Sequence, residues 1–258
     1  MKISGRTAVV TGAASGLGLG IARHLGTLGV RICLADVDKA NLDSAVPTVP
    51  SDDAEVMAFA GDLSERETAH ALIQSAIETM GHIDILINNA GGVVIRPTLD
   101  HTEETLRQTF DRNMWTMLYC TLAVIPHMMQ RQYGRVVSIG AESVRNGLWQ
   151  HAIYNGAKGA VHGMTTGLAR EFAPYNITFN VVAPAMVITP EHAKVIERME
   201  PAAQDEHLRL LEQIRGSIPL GRSGTVDEIA AATAFLASDD AGFITGQVLS
   251  VNGGSSML

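Results

Sequence analysis

Thr7-Ala8-Val9-Val10-Thr11-Gly12-Ala13-Ala14-Ser15-Gly16-Leu17-Gly18 is the stretch that decides the fold of this chain. Thr7 to Thr11 is a short apolar run, the pattern of a strand buried on both faces. The run stops at Gly12, and apolar residues then recur at helical spacing from Ile21 to Leu28, ahead of Gly29. Glycines between a strand and a helix tighten the turn and let a pyrophosphate approach the backbone. The helix behind them offers free N–H groups and the positive end of its dipole. The spacing is G-x-x-x-G-x-G, so Gly12, Ser15, Gly16, Leu17 and Gly18 are candidate phosphate-binding residues.

A second apolar run, Val30 to Ala35, ends at Asp36. A carboxylate there can accept hydrogen bonds from adenosine ribose hydroxyls and repels a 2′-phosphate. No Lys or Arg directly follows Asp36, so the residues point to NAD rather than NADP. Asp36 as a simple helix cap is the competing structural reading.

Strand and helix patterns alternate along the rest of the chain. Further strands are expected at Val56–Ala60, Ile83–Ile87, Arg135–Ile139, Ile177–Val182 and Gln247–Val251. Helices are expected at Ser64–Met80, with Ser64 and Glu67 as a capping box, and at Tyr154–Phe172 and Asp227–Leu236. A long helix is expected at Thr102–Gln130, kinked near its end by Pro126. Apolar strands alternating with helices imply a single doubly wound, Rossmann-type α/β domain over residues 1–258. Its parallel sheet has about seven strands, with helices on both faces. The segment 189–217, rich in charge and Met, is expected to form a flap over the carboxyl ends of the strands, where ligands bind in such folds.

Composition narrows the function. The chain has 258 residues, 46% hydrophobic and 18% charged, a globular balance that argues against disorder. Its formal charge is -8 with no basic stripe, which argues against nucleic acid as a partner. No polybasic cluster, no apolar run of ~18 residues and no leader-like start suggest a membrane or secretory role. Cys33 and Cys120 sit in apolar stretches and read as free buried thiols. They are too few for a disulfide framework or a metal site, so no metal is expected and a cytoplasmic protein is.

Taken in order, the motifs resemble the short-chain dehydrogenases/reductases over essentially the whole chain. Thr11 to Gly18 is similar to that family's cofactor turn, and Asp62-Leu63 to its adenine-contacting pair. Asn88-Asn89-Ala90-Gly91 resembles its fourth-strand motif, and Asn113 its helix asparagine. Tyr154-Asn155-Gly156-Ala157-Lys158 resembles its Y-x-x-x-K, and Pro184 to Thr189 the segment that clasps the nicotinamide amide. The resemblance implies an NAD-dependent enzyme, a homotetramer in form, that acts on a small-molecule alcohol or carbonyl. It carries cofactor contacts to Asp62, Leu63, Asn89, Ala90, Gly91, Pro184, Val187 and Thr189. It makes Tyr154 the acid/base, Lys158 its partner and ribose ligand, and Asn113 the holder of a relay water.

The residues supply a reason for the pair. Tyr154 and Lys158 share one helical face. A phenol titrates near ~10, too high for a base at neutral pH, and a neighbouring ammonium is expected to lower it.

Ala141 occupies the position where the family usually places its catalytic serine, within Ser138-Ile139-Gly140-Ala141-Glu142-Ser143. Ser143 is the chosen replacement, since a small shift of the loop would bring its hydroxyl to the substrate. Ser138 reads as part of the strand. Glu142 or a water is the alternative polarising group. Ala185 replaces a usual glycine, a mild departure.

The loop from Gly140 to Tyr154 resembles that of cis-dihydrodiol dehydrogenases acting on cyclohexadiene carboxylates. On that resemblance Arg145 and Arg96 are candidates to grip a carboxylate and His151 to contact a hydroxyl, each against the reading of a solvated loop residue. Two other functions stay open. One is a 3-oxoacyl thioester reductase, which Asp36 opposes because such enzymes are expected to favour NADPH. The other is a cofactor-binding protein without turnover, supported only by Ala141.

Overall fold

The computed structural model describes residues 1–51 and 56–257. Seven strands form one parallel sheet: β1 (Thr7–Thr11), β2 (Arg31–Asp36), β3 (Met57–Ala60), β4 (Ile85–Asn88), β5 (Gly134–Ile139), β6 (Ile177–Pro184) and β7 (Val248–Val251). Their spatial order is β3-β2-β1-β4-β5-β6-β7. The order reverses between β1 and β4, so a crevice opens above their carboxyl ends at the switch point.

Side chains alternate across each strand, and both faces are buried. Ala8, Val10, Ile32, Leu34, Ile85 and Ile87 face one core. That core is closed by α1 (Gly16–Thr27), α2 (Lys39–Ala45) and α10 (Val226–Ala237). Val9, Cys33, Leu86, Val136 and Phe179 face the other, closed by α3 (Arg66–Met80), α5 (Thr116–Arg131) and α7 (Ala152–Phe172). The doubly wound sheet expected from the sequence is the architecture found.

Two local expectations change. Ser64 and Glu67 make no capping box: α3 starts at Arg66, and the Ser64 hydroxyl donates instead to Asp62 Oδ1 at 2.7 Å. The long helix over 102–130 is three pieces: α4 (Glu103–Phe110), a π-helical turn (Asp111–Trp115) and α5. Pro126 lies inside α5, which continues to Arg131. The segment 189–217 is mostly helical, as α8 (Pro190–Glu197) and α9 (Pro201–Gly216). Thr189 caps α8 by accepting the His192 N–H at 3.2 Å, and Pro190 and Pro201 occupy first turns, where a missing N–H costs nothing.

Candidate active site

A cleft of about 630 Å³ opens at the carboxyl ends of the strands. One end is the turn between β1 and α1. Gly12 has φ +63°, and a Cβ there would stand 2.7 Å from Ala90 Cα. At Gly18 a Cβ would lie 2.1 Å from the Gly12 carbonyl oxygen, so only glycine lets α1 start this close to the strand. Asn89 ties the turn to β4: its side-chain amide donates to the carbonyls of Thr11 and Gly12, both at 3.0 Å. Ser15 is the N-cap of α1 and makes no side-chain cap bond, so the first N–H groups of that helix are left to a ligand.

Asp36 lies where a ribose would be read. Its Oδ2 accepts the Ala14 N–H at 3.0 Å and its Oδ1 the Asp38 N–H at 3.0 Å. Lys39, the nearest cation in sequence, is paired with Asp43 at 2.8 Å. Asp62 is bound to Ser64, and Leu63 is buried. A cradle that a Cβ would fill, a free helix start and a carboxylate at the end of β2 together fit a dinucleotide.

Four side chains from three elements meet at the other end. Tyr154 and Lys158 project from α7, Asn113 from the π-turn, and Ser143 from the short helix α6 (Ser143–Asn146) after β5. All four line the cleft. Lys158 Nζ donates to the Ile139 carbonyl at 2.8 Å. Asn113 Nδ2 donates to the Gly92 carbonyl at 2.7 Å and to Thr109 at 2.9 Å, and its Oδ1 accepts the Gly92 N–H at 3.3 Å. Single π-turns are frequent at functional sites, and nothing in the residue pattern announced this one.

Burial sets the electrostatics. The Tyr154 phenol is pushed up to about 12 and the Lys158 ammonium is pulled down to about 8, each by desolvation. The expected lowering of Tyr154 by Lys158 is therefore not found. Desolvation of the phenolate dominates, and the ammonium is turned to the Ile139 carbonyl. His162 stands behind the loop. Its Nε2 accepts the Ala141 N–H at 3.4 Å, and burial, then Arg145 and Lys158, hold it down to about 4, so it is neutral.

The structure separates the loop candidates. Ser143 is buried and its Oγ has no hydrogen-bond partner among the described residues. Ser138 lies within β5 and does not line the cleft. His151 lines the cleft, with Nδ1 at 2.7 Å from the Trp149 carbonyl and its ring edge-on to Tyr154, centroids 6.1 Å apart. The two arginines are not brought to the cleft. Arg145 points to β7, bonding the Ser250 hydroxyl and the Val248 carbonyl. Arg96 donates to the Asp100 carbonyl at 3.3 Å. Of the segment expected to clasp the nicotinamide, Pro184, Val187 and Thr189 line the cleft, as does Ala185. His192, Leu211, Ile214 and Ser255 also line it and were not singled out from the sequence. Leu211 and Ile214, three apart on α9, carried the available signal: an apolar pair in a charged helix.

A parallel sheet with a dinucleotide cradle at its switch point and a Tyr–Lys pair beside it defines a nicotinamide-dependent oxidoreductase. Comparison with known proteins agrees. The family model described as enoyl-(acyl carrier protein) reductase matches residues 12–256, and the chain belongs to the short-chain dehydrogenase/reductase family. It is 46% identical to 2,3-dihydroxy-2,3-dihydro-p-cumate dehydrogenase of Pseudomonas putida, covering 100% of this chain and 97% of that one. It is 34% identical to 1,6-dihydroxycyclohexa-2,4-diene-1-carboxylate dehydrogenase of Acinetobacter baylyi, covering 96% of this chain and 95% of that one. The crystal structure of levodione reductase matches with a TM-score of 0.90 at 28% identity, covering 98% of each chain. The protein is thus a dehydrogenase of the type that acts on hydroxyl groups of small molecules, and its family uses NAD or NADP. No helix among the described residues is long and apolar enough to cross a membrane.

Proposed function

We propose that this enzyme oxidises a cis-dihydrodiol of a cyclohexadiene carboxylate, using NAD. The observation that carries the reaction type is the convergence of Tyr154, Lys158, Asn113 and the unpartnered Ser143 hydroxyl on one cleft. The likeness to two dehydrogenases named for cyclic diols supports the substrate class. The preference for NAD rests on Asp36, with Lys39 held by Asp43.

Bound NAD supplies the hydride acceptor. The chain's own residues handle the proton. Ser143 and Tyr154 hydrogen-bond the reacting hydroxyl and fix its carbon toward the cofactor side of the cleft. Tyr154 takes the hydroxyl proton as the C–H bond yields its hydride. Lys158, at about 8, still carries its charge at pH 7; turned from the Ile139 carbonyl toward the phenol, it would favour the phenolate that burial opposes. Asn113, fixed by Gly92 and Thr109, holds the water through which the proton leaves. Oxidation of one hydroxyl of such a diol gives a hydroxyketone that tautomerises to a catechol, so the net reaction runs toward NADH.

The enzyme is a homotetramer in this reading. Gly163 and Gly167 on α7 meet nothing within 4 Å if given a Cβ, so that face is free for a second helix. Two unpaired thiols, Cys33 and Cys120, suit a reducing cytoplasm. The test is reduced-nicotinamide formation with a panel of cyclic cis-diols, with and without a ring carboxylate, and with simple secondary alcohols, set against NADPH consumption with 3-oxoacyl thioesters. Turnover confined to the thioesters with NADPH would replace this reading by the reductase one.

A further inference from the structure

We propose that Glu142 accepts the hydrogen bond of the second, non-reacting hydroxyl of a cis-diol, and so makes the enzyme select vicinal diols over simple alcohols. The inference rests on the oxidation reading above and adds the residue that sets its substrate geometry.

Glu142 is 1% exposed and lines the cleft beside the reacting groups. Its backbone is fixed, the N–H donating to the Pro184 carbonyl at 3.0 Å. Its two carboxylate oxygens differ. Oε1 accepts the hydroxyl of Ser256, which ties the C-terminal segment to the loop. Oε2 is buried and has no partner among the described residues. A buried carboxylate oxygen left unpaired is among the more costly features a fold can keep. Nearby cations do not answer it. Arg145 is bonded to Ser250 and the Val248 carbonyl, Lys158 to the Ile139 carbonyl, and His162 is neutral.

An ionised carboxylate only accepts hydrogen bonds, so the missing partner is a donor. A keto oxygen cannot serve; a hydroxyl can. The next residue has the complementary deficit: Ser143 Oγ, also buried and unpartnered, can donate. Consecutive residues of the cleft lining thus keep an unfilled acceptor and an unfilled donor. A cis-diol carries the matching pair on adjacent carbons. The reacting oxygen gains negative charge as its proton passes to Tyr154, and it accepts from Ser143 while hydride leaves its carbon. Its neighbour keeps its proton and donates to Glu142. A mono-alcohol leaves Oε2 unpaired, and a site with an unfilled buried polar group discriminates strongly against such an analogue.

The test compares kcat/KM for a cyclohexadiene cis-diol, its trans isomer and cyclohexenol in the wild type, Glu142→Ala, Glu142→Gln and Ser256→Ala enzymes. NADH binding, followed by fluorescence, reports an intact cofactor site. Expected is a cis-diol to cyclohexenol ratio that falls by roughly 10- to 100-fold in Glu142→Ala, the size of a lost hydrogen bond to a charged group. Glu142→Gln, which keeps an acceptor oxygen, recovers part of it, and Ser256→Ala leaves the ratio within a few-fold. An equal fall for both substrates, or a ratio that collapses as far in Ser256→Ala, would assign Glu142 to anchoring the tail and overturn the proposal. A wild type that oxidises none of the three with NAD or NADP overturns the oxidation reading itself, a result distinct from any in the variants.

Discussion

The Ala14 N–H donates to Asp36 Oδ2 at 3.0 Å, joining the glycine turn after the first strand to the end of the second. The carboxylate that would read the ribose is thereby fixed by the loop that would cradle the phosphates. Lys39, the cation nearest Asp36 in sequence, is drawn instead to Asp43. NAD is expected to be the better cofactor, and Asp36→Ala should cut the NAD over NADP ratio of kcat/KM by about 10-fold or more. Steady-state kinetics with both cofactors checks this; equal use of both by the wild type would refute it. Since Asp36 also accepts the Asp38 N–H, Asp36→Asn, which keeps an acceptor without the charge, separates repulsion from loop order.

Lys158 is expected to trade stability for activity. Its ammonium is buried, and burial holds it at about 8 against the ordinary 10.5. The unfolded chain therefore binds more protons between about pH 8 and 10.5, and stability from this group rises with pH across that window. Below it the folded protein carries the full cost of a buried charge. Lys158→Met should raise the stability of the cofactor-free protein at pH 7 by roughly 2–3 kcal/mol while abolishing turnover. A lower melting temperature for the variant at pH 7, without cofactor, would show that the bond to the Ile139 carbonyl outweighs desolvation.

Tyr154→Phe removes the proton acceptor but leaves the ring to pack. The hydroxyl of Tyr154 makes no hydrogen bond to the described residues, and burial raises its pKa. Turnover should fall by at least roughly 10³-fold with NADH affinity unchanged within a few-fold. Stopped-flow hydride transfer and fluorescence titration measure the two quantities separately. Near-normal kcat would move the acid/base role elsewhere.

The sheet and its order of elements were legible in the sequence because short apolar runs and helical spacing are local signals. Tyr154 and Lys158 were legible because four residues on one helix fix their proximity. What escaped depends on contacts between distant segments. The π-turn that carries Asn113, the turning of Arg145 toward Ser250, and the burial that lifts Tyr154 are set by β7, the C-terminal segment and the surrounding core. The Ser64–Glu67 capping box failed for a nearer reason: Asp62, two residues away, offered the Ser64 hydroxyl a charged acceptor.

Gly163 and Gly167 test the tetramer. Gly in a helix interior costs about 0.8–1.0 kcal/mol relative to Ala, and neither position has a neighbour in its own chain to justify it. If a second α7 lies against them, Gly167→Gln should dissociate the assembly, while an isolated chain would be stabilised by it. Light scattering of wild type and variant at micromolar concentration distinguishes the two. A wild-type monomer would remove the helix-to-helix contact from the reading.

The place of the missing serine leads to the sharpest test. Ala141 stands at the family's usual position, and its N–H is committed to His162. Ser143 begins α6 after β5 ends at Ile139, lines the cleft with Tyr154, and keeps a buried hydroxyl without a partner. An unpartnered buried hydroxyl costs free energy in the empty protein, which a substrate oxygen would return. A donor aimed at oxygen as it gains charge is worth about 2.7–4 kcal/mol in favourable sites. Ser143→Ala should therefore lower kcat by roughly 10²-fold or more, with little change in NADH affinity. Ala141→Ser in that background should not restore activity, although Ala141 also lines the cleft, if Ser143 is the residue that presents the donor. Full activity in Ser143→Ala, or rescue by Ala141→Ser, would return the polarising role to position 141 or to a water and show that the loop keeps the family's usual register.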